Sequence, residues 1–213
     1  MNILGIHIGH DSSAALLVNG QIVADVAEER FSRVKHFGGL PFRSVEYCLQ
    51  AAGLTSNEID VVTVSSTYVF PELSNLFDIG PGTAELALDR YGHGSPLDRQ
   101  AAIQGLTKPP LYVSRLPLDP GRVKGIHVEH HLAHAASAYY TSGSTDRQLV
   151  VTADGMGDNM PLAIWQGENG RLTLLKEFPP SASLGWFYSN VTEALGWWHG
   201  DGEGSTMGLA PYG

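Results

Sequence analysis

Two histidines, His130 and His134, stand four positions apart in the segment HHLAHAASAYY. An α-helix turns by about 100° per residue, so this spacing stacks the two imidazoles on one helical face. Imidazole nitrogens bind divalent metals well, and such a pair needs only one or two carboxylates from elsewhere to complete a site. Asp154, in VVTADGMGD, is the candidate carboxylate. The residue after His130 is not glutamate, so the spacing is not the metalloprotease signature. A second reading is that an alanine-rich helix packs closely on a sheet and its histidines find hydrogen-bond partners in a core. The spacing alone leaves both open.

Two further clusters carry polar chemistry. The break after ILGIHI holds His10, Asp11, Ser12 and Ser13. A polar turn between buried strands gathers backbone N–H groups and short side chains, a place to receive a phosphate or to position a base. A hairpin turn of small polar residues has the same composition. Downstream, AEERFSRVKH places Arg30, Arg33, Lys35 and His36 close together in an acidic chain. They could hold a phosphate or carboxylate through charge-assisted hydrogen bonds, or form a solvated strand end.

The elements that position these residues follow from periodicity. ILGIHI, AALLV and QIVADVA read as three strands, the last two joined by the strong hairpin signal Asn19-Gly20. Pro41 opens a helix, PFRSVEYCLQAAG, with Val45, Cys48, Leu49 and Ala52 on one face and Gly53 as its stop. A fourth strand spans Ile59 to Ser66, and VKGIHVEH supplies a short one before the histidine helix. Glycine and proline accumulate from Phe70 to Arg122, which reads as an irregular insertion with a short helix near Ala84 to Arg90. The opening pattern then recurs: RQLVVTADG, MPLAIWQG, the Asn169-Gly170 turn and RLTLLKEF, followed by the helix SLGWFYSNVTEALGW.

The duplication predicts an α/β chain with the two-lobed architecture of actin, hexokinase and Hsp70, in which acidic turns of two ribonuclease H-like lobes oppose each other across a cleft. The first lobe is expected over 1–145, with the insertion at about 70–122. Residues 146–213 then form the beginning of a second, truncated lobe.

Composition sets outer bounds. A chain of 213 residues suffices for one large domain or two small lobes. A formal net charge of −9 argues against a general nucleic-acid binder. Cys48 is the only cysteine, so no disulfide framework exists and a reducing cytoplasm is the expected compartment. Met1 runs into ILGIHI without a basic leader, and that run is too short to span a membrane, so no membrane partner is expected.

The segments GHDSSAALLVNGQIVADVAEERFSRVKH, HHLAHAASAYY, TADGMGD, SLGWFYSNVTEALG and GEGSTMGLAPYG resemble, in this order, the signature blocks of the nodulation and antibiotic O-carbamoyltransferases. That family's amino-terminal domain is similar to the tRNA threonylcarbamoyl transferase and binds a metal through a His-x-x-x-His pair. The resemblance implies that ATP and carbamoyl phosphate form a carbamoyl-adenylate in a separate carboxy-terminal domain. The amino-terminal domain then moves the carbamoyl group to a hydroxyl of a small metabolite.

Carried onto this chain, the resemblance implies that His130, His134 and Asp154 hold iron, zinc or manganese, in contact with the adenylate's phosphate as a Lewis acid. It implies that His10 or Asp11 takes the acceptor's proton. His10 is favoured because an imidazole's ordinary pKa lies nearest neutrality. Ser12, Arg30, Arg33 and Lys35 would then face phosphate. Gly155, Gly157, Gly202 and Gly204 would let backbone amides approach phosphate or ribose. The family usually has a lysine after GEG; Ser205 and Thr206 stand there instead, so that phosphate contact is lost or passes to hydroxyls.

The chain stops at MGLAPYG, so the adenylate-forming domain is an expected partner beyond it. The piece alone is expected to be inactive and, with an open sheet edge, prone to self-association. The alternatives are another ATP-binding enzyme of the same architecture, such as a kinase, which the paired histidines count against, or a non-catalytic binding module.

Overall fold

In the first strand, β1 (Asn2–His7), the side chains alternate so that Leu4 and Ile6 point into the core. β2 (Ser13–Val18) and β3 (Gln21–Ala27) continue as an antiparallel meander, and Asn19 and Gly20 make the second turn at φ 52° and 82°. β4 (Val61–Val64) then pairs parallel with β1, and β5 (Lys124–His127) parallel with β4. The sheet order is β3-β2-β1-β4-β5, the mixed α/β arrangement that a leading antiparallel triplet followed by parallel strands requires. This computed structural model describes residues 1–8, 10–65 and 124–213. The insertion expected at 70–122, with its short helix, lies outside the described residues.

One face of this sheet presents Leu4, Ile6, Ala14, Leu16, Val62 and Val64 to Val45, Cys48 and Leu49 of α2 (Phe42–Ala52). Between β3 and α2 lies the one-turn helix α1 (Glu29–Ser32). Gly53, at φ 65°, ends α2 as the sequence predicts.

The start of α2 is fixed from a distance. Buried Glu28 accepts from the backbone N–H of Ser44 at 2.8 Å, from the Ser44 hydroxyl at 2.8 Å and from the Arg43 N–H at 3.2 Å. A carboxylate there satisfies amides that the first helical turn leaves open and matches the helix dipole. Glu28→Ala is therefore expected to lower unfolding stability by about 2–3 kcal/mol in a denaturant titration. Glu28→Gln, which keeps one acceptor oxygen, should lose less.

The chain divides into two compact units, Met1–Glu129 and His130–Gly213. In the second, β6 (Gln148–Gly157), β7 (Met160–Glu168) and β8 (Arg171–Phe178) form an antiparallel sheet in that order, with Asn169 and Gly170 again at the turn. The histidine helix α3 (His130–Tyr140) packs on it, placing Ala135 and Tyr139 against Val150, Ala163 and Trp165. The division therefore falls between Glu129 and His130 instead of after residue 145, because α3 covers the second sheet.

Two more helices follow, α4 (Leu184–Ala194) and α5 (Glu203–Gly208). Most of GEGSTMG thus lies in a short helix, with Gly202 at its N-cap. The Gly202 carbonyl accepts the N–H groups of Ser205 at 2.9 Å and Thr206 at 3.1 Å, and the Thr206 hydroxyl pairs with that of buried Thr192 at 2.9 Å. No helix among the described residues is long and apolar enough to cross a membrane.

Candidate functional site

α3 begins where a turn of the second sheet meets it. Asp158, left-handed at φ 49°, accepts the His130 backbone N–H on Oδ2 at 2.8 Å and so caps the helix. One turn on, His134 Nε2 lies 2.9 Å from His130 Nε2. From β6, Asp154 Oδ2 reaches His130 Nε2 at 2.8 Å and His134 Nε2 at 3.6 Å, while its Oδ1 accepts the Gly155 N–H at 2.6 Å. Hydrogen bonds from His130, and then from His134, hold the Asp154 carboxyl far below the usual carboxylate range against the opposing effect of partial burial. The carboxylate is ionised at neutral pH. His130 is 19% exposed and His134 55%, so the cluster opens to solvent on the His134 side.

The donor set suits a cation. One ligand atom from each of His130, His134 and Asp154 lies within 4.8 Å of the others. Nitrogen and oxygen ligands bound about 2.1 Å from one ion stand roughly 3–3.5 Å apart. The separations here, 2.8 to 3.6 Å, bracket that range. Two imidazoles and one carboxylate leave further coordination positions for water or a substrate oxygen.

The packing reading of this helix holds for the intervening histidine. His131 is fully buried, with Nε2 donating to the Met160 carbonyl at 2.6 Å and Nδ1 accepting from the Thr152 hydroxyl at 2.9 Å. Burial depresses its pKa, so the ring stays neutral.

Around Asp154 the structure gives Gly157 a packing role and adds Asp158, Ser183 and Gly185, which the sequence did not single out. A Cβ on Gly157 would lie 2.1 Å from His130 Cδ2, so a bare backbone is needed where the ring rests. Ser183 caps α4 by accepting the Trp186 N–H at 3.0 Å, and its hydroxyl donates to the Gly155 carbonyl at 2.7 Å. A Cβ on Gly185 would stand 2.4 Å from the Gly155 nitrogen. Asp158 lies within DGMGD, and Ser183 and Gly185 within SLGWF; only the cap at Ser183 has a local sequence signal.

In the first unit the turn residues meet an unforeseen partner. Asp11, at φ 62°, accepts His10 Nδ1 on Oδ2 and His36 Nδ1 on Oδ1, both at 2.7 Å. The His10 hydrogen bond foremost, with that of His36, holds the Asp11 carboxyl below its ordinary range. Ser12 is not at the open side of this turn. It shares the inward phase of Ala14 and Leu16 and is fully buried; its N–H donates to the Phe37 carbonyl at 3.0 Å, and its hydroxyl oxygen has no hydrogen-bond partner.

Arg30, Arg33 and Lys35 are all exposed. Arg30 reaches Glu29 at 3.7 Å, and Arg33 closes α1 at φ 62°. On the second unit, Gly202 is packed tightly against Trp197 and Trp198, whereas Gly204 has open space and Ser205 is exposed.

Residues 2–78 and 111–213 match the family described as Carbamoyltransferase N-terminus. The nodulation protein NolNO of Sinorhizobium fredii is 37% identical over 205 residues, covering 96% of this chain and 28% of that protein. The uncharacterized protein sll1178 of Synechocystis is 35% identical over 217 residues, covering 96% of this chain and 33% of that protein. The chain thus spans about a third of the length of these relatives. Among solved structures, YeaZ from Pseudomonas aeruginosa aligns over 85% of this chain and 71% of its own at 17% identity and a TM-score of 0.38. The ROK hexokinase from Thermus thermophilus aligns over 86% of this chain and 50% of its own at 12% identity and a TM-score of 0.34. The family match extends over both sheets and includes His10, Asp11, His130, His134 and Asp154, and on that ground the chain belongs to the carbamoyltransferase amino-terminal family.

Proposed function

We propose that this chain is the transfer part of an ATP-dependent O-carbamoyltransferase, which moves a carbamoyl group from carbamoyl-adenylate to a hydroxyl of a small metabolite. The observation that carries the reading is the convergence of His130, His134 and Asp154 in a chain of this family. These three residues would hold a divalent metal, iron, zinc or manganese, which when bound supplies Lewis-acid stabilisation to phosphate oxygen. The two imidazoles would offer it nitrogen ligands, and the ionised Asp154 would offset its positive charge.

His10 is assigned the base. An ionised Asp11 can only accept hydrogen bonds, so in the neutral form of the His10 ring the proton sits on Nδ1 and Nε2 carries the lone pair. Nε2 takes the proton as the acceptor oxygen bonds to the carbamoyl carbon. The bond from that carbon to the adenylate phosphate oxygen breaks, and the phosphate leaves with the electron pair. Asp11 stabilises the resulting imidazolium.

Arg30, Arg33 and Lys35 supply exposed positive charge suited to phosphate, while Gly155, Gly157, Gly202, Gly204, Ser205 and Thr206 are proposed on the family resemblance alone. The partners are the adenylate-forming domain and the hydroxyl acceptor, in the cytoplasm.

The test is incubation of the full-length protein with ATP, labelled carbamoyl phosphate and a panel of hydroxyl-bearing sugars. Label is expected on an acceptor with the native protein, and on none with His10→Ala although carbamoyl phosphate is still activated. A full-length protein that leaves carbamoyl phosphate untouched would sink the reading.

A further inference from the structure

We propose that His36 is a positioning residue for the His10–Asp11 pair: it occupies one oxygen of Asp11 and thereby fixes the carboxylate, and through it the proton-bearing nitrogen of His10. The inference rests on the reading of His10 as base and adds a residue to that site.

The chain reaches this arrangement by an unusual path. After α1 it turns left-handed at Arg33 (φ 62°) and again at His36 (φ 53°), and these two turns carry the His36 ring to a residue 25 positions earlier. Histidine and asparagine are among the few non-glycine types that tolerate this region, and such backbones persist when their surroundings over-determine them. Here they do: the His36 N–H donates to Glu29 Oε2 at 3.3 Å while the ring donates to Asp11 at 2.7 Å. Asp11 is itself left-handed.

The chemistry follows from hydrogen-bond inventory. An ionised carboxylate accepts only, so both contacting nitrogens carry hydrogen. With Oδ1 engaged by His36, Oδ2 remains for His10, and the carboxylate plane is held at two points. Remove His36, and the carboxylate turns freely about its last torsion, releasing His10 from a single tautomer. The charged groups around the cluster are Glu29, which takes the His36 N–H, Arg30, which pairs with Glu29, and the neighbouring Lys35.

The experiment compares the native chain with His36→Ala and His36→Asn, using nitrogen-15 histidine shifts for the tautomer and carbon-13 aspartate shifts for the carboxyl titration. Asparagine tolerates the left-handed backbone and places an amide donor near the position of Nδ1, so it separates loss of the bond from loss of the fold. In His36→Ala, His10 is expected to become a mixture of tautomers and the Asp11 carboxyl to titrate higher, nearer its ordinary range. His36→Asn should keep the native tautomer.

In the full-length enzyme, His36→Ala should slow carbamoyl transfer roughly tenfold through kcat, with activation of carbamoyl phosphate unchanged and His36→Asn partly restored. An unaltered His10 tautomer and Asp11 titration in His36→Ala would overturn the proposal. A shifted tautomer with unchanged transfer would uphold the positioning role and overturn the assignment of His10 as base.

Discussion

Asp154→Ala is expected to lower divalent-metal affinity by on the order of a hundredfold or more, read by elemental analysis and by calorimetric titration of the purified chain. Loss of a residue that merely orients a ligand costs about 10–100-fold, and Asp154 would be a ligand itself. It is also the anion of the cluster. Without it, the His130 and His134 nitrogens 2.9 Å apart would face a cation with no negative charge beside them. The carboxylate is in place before any ion arrives, because hydrogen bonds from the histidines and the Gly155 N–H keep it ionised and aimed. Asp146→Ala, which removes an exposed carboxylate of the same unit, serves as the control and should bind as the native chain does. Equal affinity in Asp154→Ala and the control would remove Asp154 from the ligand set.

How far that cluster was legible in the sequence depends on what each residue answers to. The spacing of His130 and His134 is a property of one helix, and TADG at the end of an apolar strand is a property of one strand, so both could be read locally. The antiparallel triplets were legible for the same reason: period-two alternation and an Asn-Gly turn are short-range signals. What the sequence concealed depends on which surfaces meet. Nothing in HHLAH distinguishes His131, bonded to Thr152 and Met160, from the outward pair; the difference arises from the sheet beneath. The glycines of GEGSTMG carry no local signal for the helix they enter, yet Gly202 is demanded by tight packing on Trp197, its carbonyl closes the turn on Ser205 and Thr206, and the Thr192–Thr206 bond ties α5 to α4. Ser12 could have been placed inward by extending the phase of Ala14 and Leu16 back two residues. The His36–Asp11 contact could not, since it needs two left-handed residues with no local signature.

The helix that supports Asp154 supplies the larger effect on stability. Gly185→Ala is expected to cost about 3 kcal/mol or more of unfolding stability and to weaken metal binding along with it. The added methyl group would stand 2.4 Å from the Gly155 nitrogen, 2.6 Å from its Cα and 2.7 Å from the Asp154 carbonyl carbon. These are backbone atoms that no rotamer change can move aside, so either α4 backs away or the end of β6 shifts. If α4 retreats, Ser183 gives up its 2.7 Å hydrogen bond to the Gly155 carbonyl. If β6 shifts, Asp154 leaves the position that puts Oδ2 2.8 Å from His130. Gly204→Ala provides the contrast, because a Cβ there meets nothing within 4 Å and alanine favours a helix over glycine. It should be neutral or slightly stabilising. Denaturant unfolding and metal titration of the two variants side by side decide the matter: if Gly185→Ala matched the native chain in both, the close packing of α4 on the Asp154–Gly155 backbone would not be what holds the site in shape.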